Sequence, residues 1–356
     1  MYLTEVVLAV RYRERNAAGD WVGGPMYYIK NGLGKSWMWL AFVFAFFGMT
    51  ASFGIGNTTQ VDSIATAIGT AVSAFGGGEV STTFRIIIGA VVALITAFVI
   101  IGGIKRIGAV TEKLVPFMAV IYIIAALIVV FANIGQIGTV LGAIFRGAFS
   151  PSAIAGGALG VGIMTTIQKG IARGVFSNEA GLGSAPIAHA ATSETDPVKQ
   201  GVYGIFEVFM DSIVICTLTS LALLTGLYGQ GAEMAWGSGA GSEMVVAAFS
   251  GVFGGKVASI IIAVGLSLFA LSTVLSWSLY GSRCCEFLFR KGSKTATLIY
   301  KIIFCIILII GSTLGLDIVW NIGDALNGLM AIPNLVALLL LSGTIIKITK
   351  DHFANK

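Results

Sequence analysis

Lys169 and Arg173 fall inside a long apolar stretch, Gly157 to Ala191, where membrane burial would make a free charge costly. In a continuous helix they stack as a like-charged pair four residues apart, which is unfavourable, while Gly170 and Gly174 make unwinding cheap. The spacing predicts a helix broken at Lys169 to Gly174, close to the middle of the bilayer. Ser177 or Asn178 then caps a second half-helix with Glu179 in its first turn. Free backbone amides at such a break would bind a carboxylate. The competing reading is structural: Lys169 and Arg173 pair with Glu179, or with Glu207 and Asp211 of the next helix.

Two further groups carry possible chemistry. In GMTASFGIGNTTQVDSIATAI, from Gly48, Asn57 and Gln60 lie one turn apart, with Thr59, Asp62, Ser63 and Thr66 on a neighbouring stripe. Their amides suit a zwitterion, or equally join helices to one another. Asp62, near the outer end of its helix, reads as a solvated carboxylate. In FALSTVLSWSLYGSR, from Phe269, the hydroxyls of Ser272, Thr273 and Ser276 stand beside Trp277. Hydroxyls and carbonyls can replace the hydration shell of a small cation, and an indole can wall a small apolar group. Routine packing between helices uses the same residues.

The elements that must position these groups are membrane helices. Of 356 residues, 56% are hydrophobic and 11% charged, against about 25% charged in a typical soluble domain. A mean hydropathy of +0.91 extends along nearly the whole chain. Eight crossings are expected, beginning near Trp37, Ile86, Leu114, Gly157, Val202, Val257, Tyr300 and Asp317, the last interrupted at Pro333. Numbering the gaps alternately puts seventeen Lys and Arg residues on one side and three on the other, which assigns the first side, with the carboxyl terminus, to the cytoplasm. Forty-seven glycines predict tight helix packing or local breaks. Only Met1 to Val10 precede the first basic loop, about 15 Å of helix and half a crossing, so the chain is expected to start inside a helix.

Several classes are excluded or unsupported. His189 and His352 are far apart in sequence and match no metal-ligand pattern, so His189 reads as a satisfied helix residue. Cys216, Cys284, Cys285 and Cys305 read as packing residues. No hydrolase or phosphate-loop motif occurs, which argues against an enzyme or an ATP-driven pump and against any bound cofactor. The basic residues follow membrane topology and give no support to nucleic-acid binding.

These segments resemble the alanine/glycine:cation symporter family, also called sodium:alanine symporters. The resemblance rests on GGPMYYIKNGLG from Gly23, FGIGN from Phe53, GIARGVFSNEAGLGSAPIAHAA from Gly170, DPVKQG from Asp196 and NGLMAIPNLVALLLLSG from Asn327. It implies an all-α membrane protein of the leucine-transporter type, two inverted repeats of five helices, forming one transmembrane domain over residues 1–356. It also implies secondary symport of a small neutral amino acid, alanine or glycine, with a cation, sodium or in some members a proton, across the cytoplasmic membrane. Carried onto matching positions, the family pattern assigns substrate contacts to Asn57, Gln60, Gly170, Ile171, Gly174 and Trp277. The wider fold assigns half a sodium site to Ser272, Thr273 and the carbonyl of Phe269. Family members begin roughly eighty residues earlier, so this sequence is expected to be a fragment starting within the second core helix. A passive channel, or a non-transporting receptor or scaffold on the same fold, stands as the alternative.

Overall fold

The computed structural model describes residues 1–78, 80–149, 161–231, 241–290, 292–314 and 316–354. Apolar runs in lipid must satisfy their backbone groups internally, and almost all of these residues are helical. The chain begins with α1 (Tyr2–Arg11), an antiparallel hairpin of β1 (Glu14–Arg15) and β2 (Trp21–Val22), and α2 (Pro25–Tyr28). There follow α3 (Met38–Phe53), α4 (Thr59–Ala74), α5 (Thr82–Ile101), α6 (Gly103–Ala132) and α7 (Ile137–Phe149). Next come α8 (Val161–Asn178), α9 (Ala185–His189), α10 (Pro197–Val208), α11 (Cys216–Gly229) and α12 (Gly241–Phe253). The last are α13 (Gly255–Leu288), α14 (Ser293–Gly311), α15 (Leu316–Leu340) and α16 (Ser342–Ala354).

Among the described residues, seven helical runs are long and apolar enough to cross a bilayer: Lys35–Ala74, Thr82–Ile101, Gly103–Ala132, Pro197–Gly229, Gly255–Leu288, Ser293–Gly311 and Gly323–Leu340. They match seven of the eight expected crossings. The start of the eighth, near Gly157, lies outside the described residues, and its described part is α8. Two crossings contain a π-helical turn, Gly54–Thr58 between α3 and α4 and Phe209–Ile215 between α10 and α11. Such turns insert an extra residue and disturb the backbone ladder, and they recur at functional sites.

The 34-residue α13 is the central post, packing against α3, α4, α6, α12 and α14. One apolar core joins Tyr28, Phe44, Trp277, Cys284 and Met330; a second joins Val61, Ile64, Val274, Phe304 and Leu308. Lipid is as apolar as these side chains, so close packing rather than water exclusion holds the helices together. Gly56 shows how close: a β-carbon there would lie 2.0 Å from Cβ of Trp277. Large apolar residues such as Leu94, Phe98 and Ile101 point outward to the lipid side.

Three expectations about elements are corrected. The helix does not break at Gly170 to Gly174, because α8 runs unbroken from Val161 to Asn178. Arg173 is compensated instead by an ion pair with Asp324 of α15, and its guanidinium lies 4.3 Å from the ring centre of Trp320. A compensated cation gives the helix no reason to unwind. Secondly, α15 continues through Pro333; the one hydrogen bond that a proline removes is tolerated in a 25-residue membrane helix. Thirdly, Asp62 is not solvated: it is fully buried and bonded at 2.7 Å to Arg85, which reaches back from the first turn of α5.

Candidate functional site: a cavity beside an interrupted helix

The helix does break, but farther on, between Asn178 and Ala185. Glu179 has φ +56°, a left-handed conformation that costs a non-glycine residue about 1 kcal/mol or more, and Gly181 and Gly183 follow with φ +95° and +82°. Asn178 Oδ1 accepts from the Ala180 amide at 2.9 Å and starts the turn. Two other helices then fix it. The Glu5 carboxyl of α1 accepts from the Gly181 amide at 3.1 Å, and Asn334 of α15 donates to the Gly181 carbonyl at 2.9 Å and also to Glu5. The Tyr28 hydroxyl in turn donates to Asn334. Every group in this latch is buried, and the middle of the break, at Gly181, is thereby tied to α1 and α15.

A cavity of about 390 Å³ opens beside the break. Ser177, Asn178 and Glu179 form one wall, and Ser272, Thr273, Ser276, Trp277 and Tyr280 of α13 form another. Glu207 of α10 and Asp211, in the π-turn, complete it with Tyr2 and Val115. The Glu179 carboxylate accepts from Trp277 Nε1 at 3.0 Å and from the Ser184 hydroxyl at 2.5 Å. Asp211 accepts from the Ser177 hydroxyl at 2.8 Å. Three carboxyl groups, several hydroxyls and three aromatic rings thus share one cleft, a chemistry suited to a small cationic or zwitterionic ligand with a short apolar part.

The sequence-derived site residues are placed unequally. Ser272, Thr273 and Trp277 all line the cavity. The two hydroxyls donate to the Phe269 carbonyl at 2.7 and 3.1 Å, so three oxygens gather on one turn of α13. Asn57 and Gln60 do not line it. Asn57 is fully buried and donates to the Phe304 carbonyl at 2.8 Å, tying the π-turn to α14, while Gln60 donates to the Ile55 carbonyl at 3.0 Å. Gln60 therefore satisfies a carbonyl of the π-turn, whereas Asn57 joins that turn to α14 and leaves its own Oδ1 without a hydrogen-bond partner among the described residues. Gly170, Ile171 and Gly174 lie on the exposed side of α8, with Ile171 62% exposed and no atom within 4 Å of a β-carbon built at either glycine. The side chain of Lys169 lies outside the described residues.

The expected anion site at a half-helix start is also corrected. Ser177 and Asn178 close α8 rather than cap a second helix, and α9 has only five residues, too short to sum a useful dipole. Glu179, Glu207 and Asp211 enter the site instead, and only the left-handed glycines of the NEAGLGS segment could have signalled that the turn lay there. His189 is satisfied, as its type and position suggest: one ring nitrogen is 3.0 Å from Glu207 and the other 2.8 Å from Gln200. Cys284 and Cys285 are buried, and all four cysteines are free thiols.

Known proteins share this chain almost end to end. A family model described as "Sodium:alanine symporter family" matches residues 2–356. The sodium/alanine symporter AgcS of Methanococcus maripaludis is 45% identical over 351 residues, covering 97% of this chain and 72% of that protein. An uncharacterized transporter of Haemophilus influenzae is 41% identical, covering 98% of this chain and 73% of its own length. The amino-acid carrier protein AlsT of Bacillus subtilis is 40% identical, covering 98% and 69%. A membrane-spanning helical bundle with a polar cavity at an interrupted helix, matched along its length by such relatives, belongs to the sodium:alanine symporter family, whose members are transporters and not enzymes.

Proposed function

We propose that this protein couples the movement of a small neutral amino acid, alanine or glycine, to that of sodium across the cell membrane. The cavity between the Glu179 break and α13 carries the reading. The substrate's ammonium group faces Glu179 and Asp211, and its short side chain lies against Trp277, which Glu179 holds in place. The cation takes oxygens from Ser272, Thr273 and the Phe269 carbonyl, whose spacing on one turn supports half of a coordination shell. Relatives named as sodium/alanine symporter and amino-acid carrier support the choice of ligands.

The carboxyl end is assigned to the cytoplasm. Arg13 of the loop after α1 donates to the Thr192 carbonyl at 2.6 Å, and Arg283 at the end of α13 reaches Asp20 of the hairpin loop at 3.3 Å. His352 of α16 reaches Asp196 at 2.8 Å. These contacts gather the basic loops and α16 at one end of the bundle, which supports a common cytoplasmic side.

Reconstituted protein should take up radiolabelled alanine only against an inward sodium gradient, and Trp277→Ala should lower that uptake about tenfold or more. Uptake independent of sodium, or an electrical conductance without substrate dependence, would instead mark a uniporter or a channel. Unchanged uptake in Trp277→Ala would remove the cavity from the mechanism.

A further inference from the structure

Another cavity, about 350 Å³, shares no lining residue with the one at the break and lies between the hairpin loop and the ends of α5, α6, α13 and α14; a larger cavity of about 910 Å³ borders both. The walls of this smaller cavity include Arg283, Lys294 and Lys301 against Asp20 and Glu286. Arg283 is already neutralised, 2.6 Å from Glu286 and 3.3 Å from Asp20. Lys294 and Lys301 remain, and neither forms an ion pair among the described residues. Lys301 is half-buried and donates to the carbonyl of the buried Ile100, in the last turn of α5, at 2.9 Å, which leaves two ammonium protons uncommitted. The first turn of α14, with no side-chain cap, adds partial positive charge at the same wall.

The rest of the lining is apolar and leads outward. Leu298 lines the cavity and is 58% exposed, and Ile299 and Ile302 continue the exposed apolar surface of α14, with Ile101 at the end of the neighbouring α5. A water-soluble anion has no use for that surface. We infer that this cavity holds the phosphodiester of an anionic phospholipid, with Lys294 and Lys301 on the phosphate and the acyl chains along α5 and α14. Basic pockets between helices at the cytoplasmic surface bind anionic headgroups by the same combination of charge and apolar wall.

Native mass spectrometry of the purified protein in detergent, titrated with phosphatidylglycerol or phosphatidylcholine, tests this. One phosphatidylglycerol should be retained at least about fivefold more tightly than phosphatidylcholine, and Lys294→Gln or Lys301→Gln should each reduce that retention about fivefold. The paired change Lys347→Gln and Lys350→Gln, on α16, should leave it unchanged. Equal retention of both lipids, or equal loss in the α16 variant, would overturn the inference in favour of diffuse charge. Displacement of the lipid by an equal concentration of inorganic phosphate would overturn the lipid assignment. Lys301→Gln also frees the Ile100 carbonyl; should that variant fail to fold, the exposed Lys294 decides, and unchanged retention in Lys294→Gln refutes the site.

Discussion

Glu179 joins three jobs in one side chain: it occupies the strained turn, holds the Trp277 indole and places charge in the cavity. Those jobs separate by substitution. Glu179→Gln keeps an acceptor for the indole and removes the charge, so it should preserve thermal stability and reduce alanine uptake by about tenfold or more. Glu179→Ala additionally strands a buried indole N–H, at about 1–3 kcal/mol, and should lower the melting temperature as well. Calorimetry and uptake on the same preparations distinguish the two outcomes. At this scale helical spacing sets Ser272, Thr273 and Trp277 on neighbouring turns of one helix, and all three line the cavity, though spacing alone did not separate a site from routine packing. The sequence hid the partner of Arg173: Asp324 lies on another helix, and without it the cation and its two flanking glycines read as a break.

The interruption after α8 depends on elements that meet it only in the fold. Glu5, Tyr28 and Asn334 come from α1, α2 and α15, and no local pattern announces that they converge on Gly181. Asn334→Leu is nearly isosteric yet leaves the Gly181 carbonyl without its donor, the Glu5 carboxyl with the Gly181 amide alone and the Tyr28 hydroxyl without its acceptor. It should cost about 3 kcal/mol or more, read as a fall in thermal midpoint. Gly183→Ala adds a β-carbon 2.5 Å from Pro25 Cγ at a φ of +82° and should likewise destabilise, by about 1–3 kcal/mol. A wild-type midpoint in either variant would mean that the turn is held by something other than this latch. An interruption somewhere in this run was foreseeable, since glycines in an apolar run mark a place where helices part. Which glycines part it was not, because left-handed geometry is set by neighbours.

Across the whole molecule, hydropathy located seven crossings well because each must fill the bilayer with apolar side chains, whatever its neighbours are. The contacts among the connecting segments were not legible, since they join distant parts of the chain. In the hairpin, burial raises the pKa of Glu14, but hydrogen bonds from Lys30 and Asn31 outweigh it and hold the carboxyl below its ordinary value. A depressed carboxyl stabilises the folded form above the unfolded pKa, about 4.3, and that contribution is lost as pH falls through the lower folded value. The protection of amides across residues 12–24, measured against their intrinsic exchange rates at each pH, should therefore fall as the medium is acidified below about pH 4. Glu14→Gln should flatten that dependence, and an unaltered profile would detach the carboxyl from hairpin docking.

Gly56 has a consequence for substrate choice. With bare backbone on one side and Glu179 holding its nitrogen, the Trp277 ring has little freedom to retreat, so the cavity cannot widen there to admit a longer molecule. The protein would then sort its cargo by bulk, against a fixed stop rather than a yielding cushion. Gly56→Ala sets a β-carbon 2.0 Å from Trp277 Cβ, which no turn of the ring relieves, so it should lower the thermal midpoint, and whatever uptake survives should favour glycine over alanine in competition.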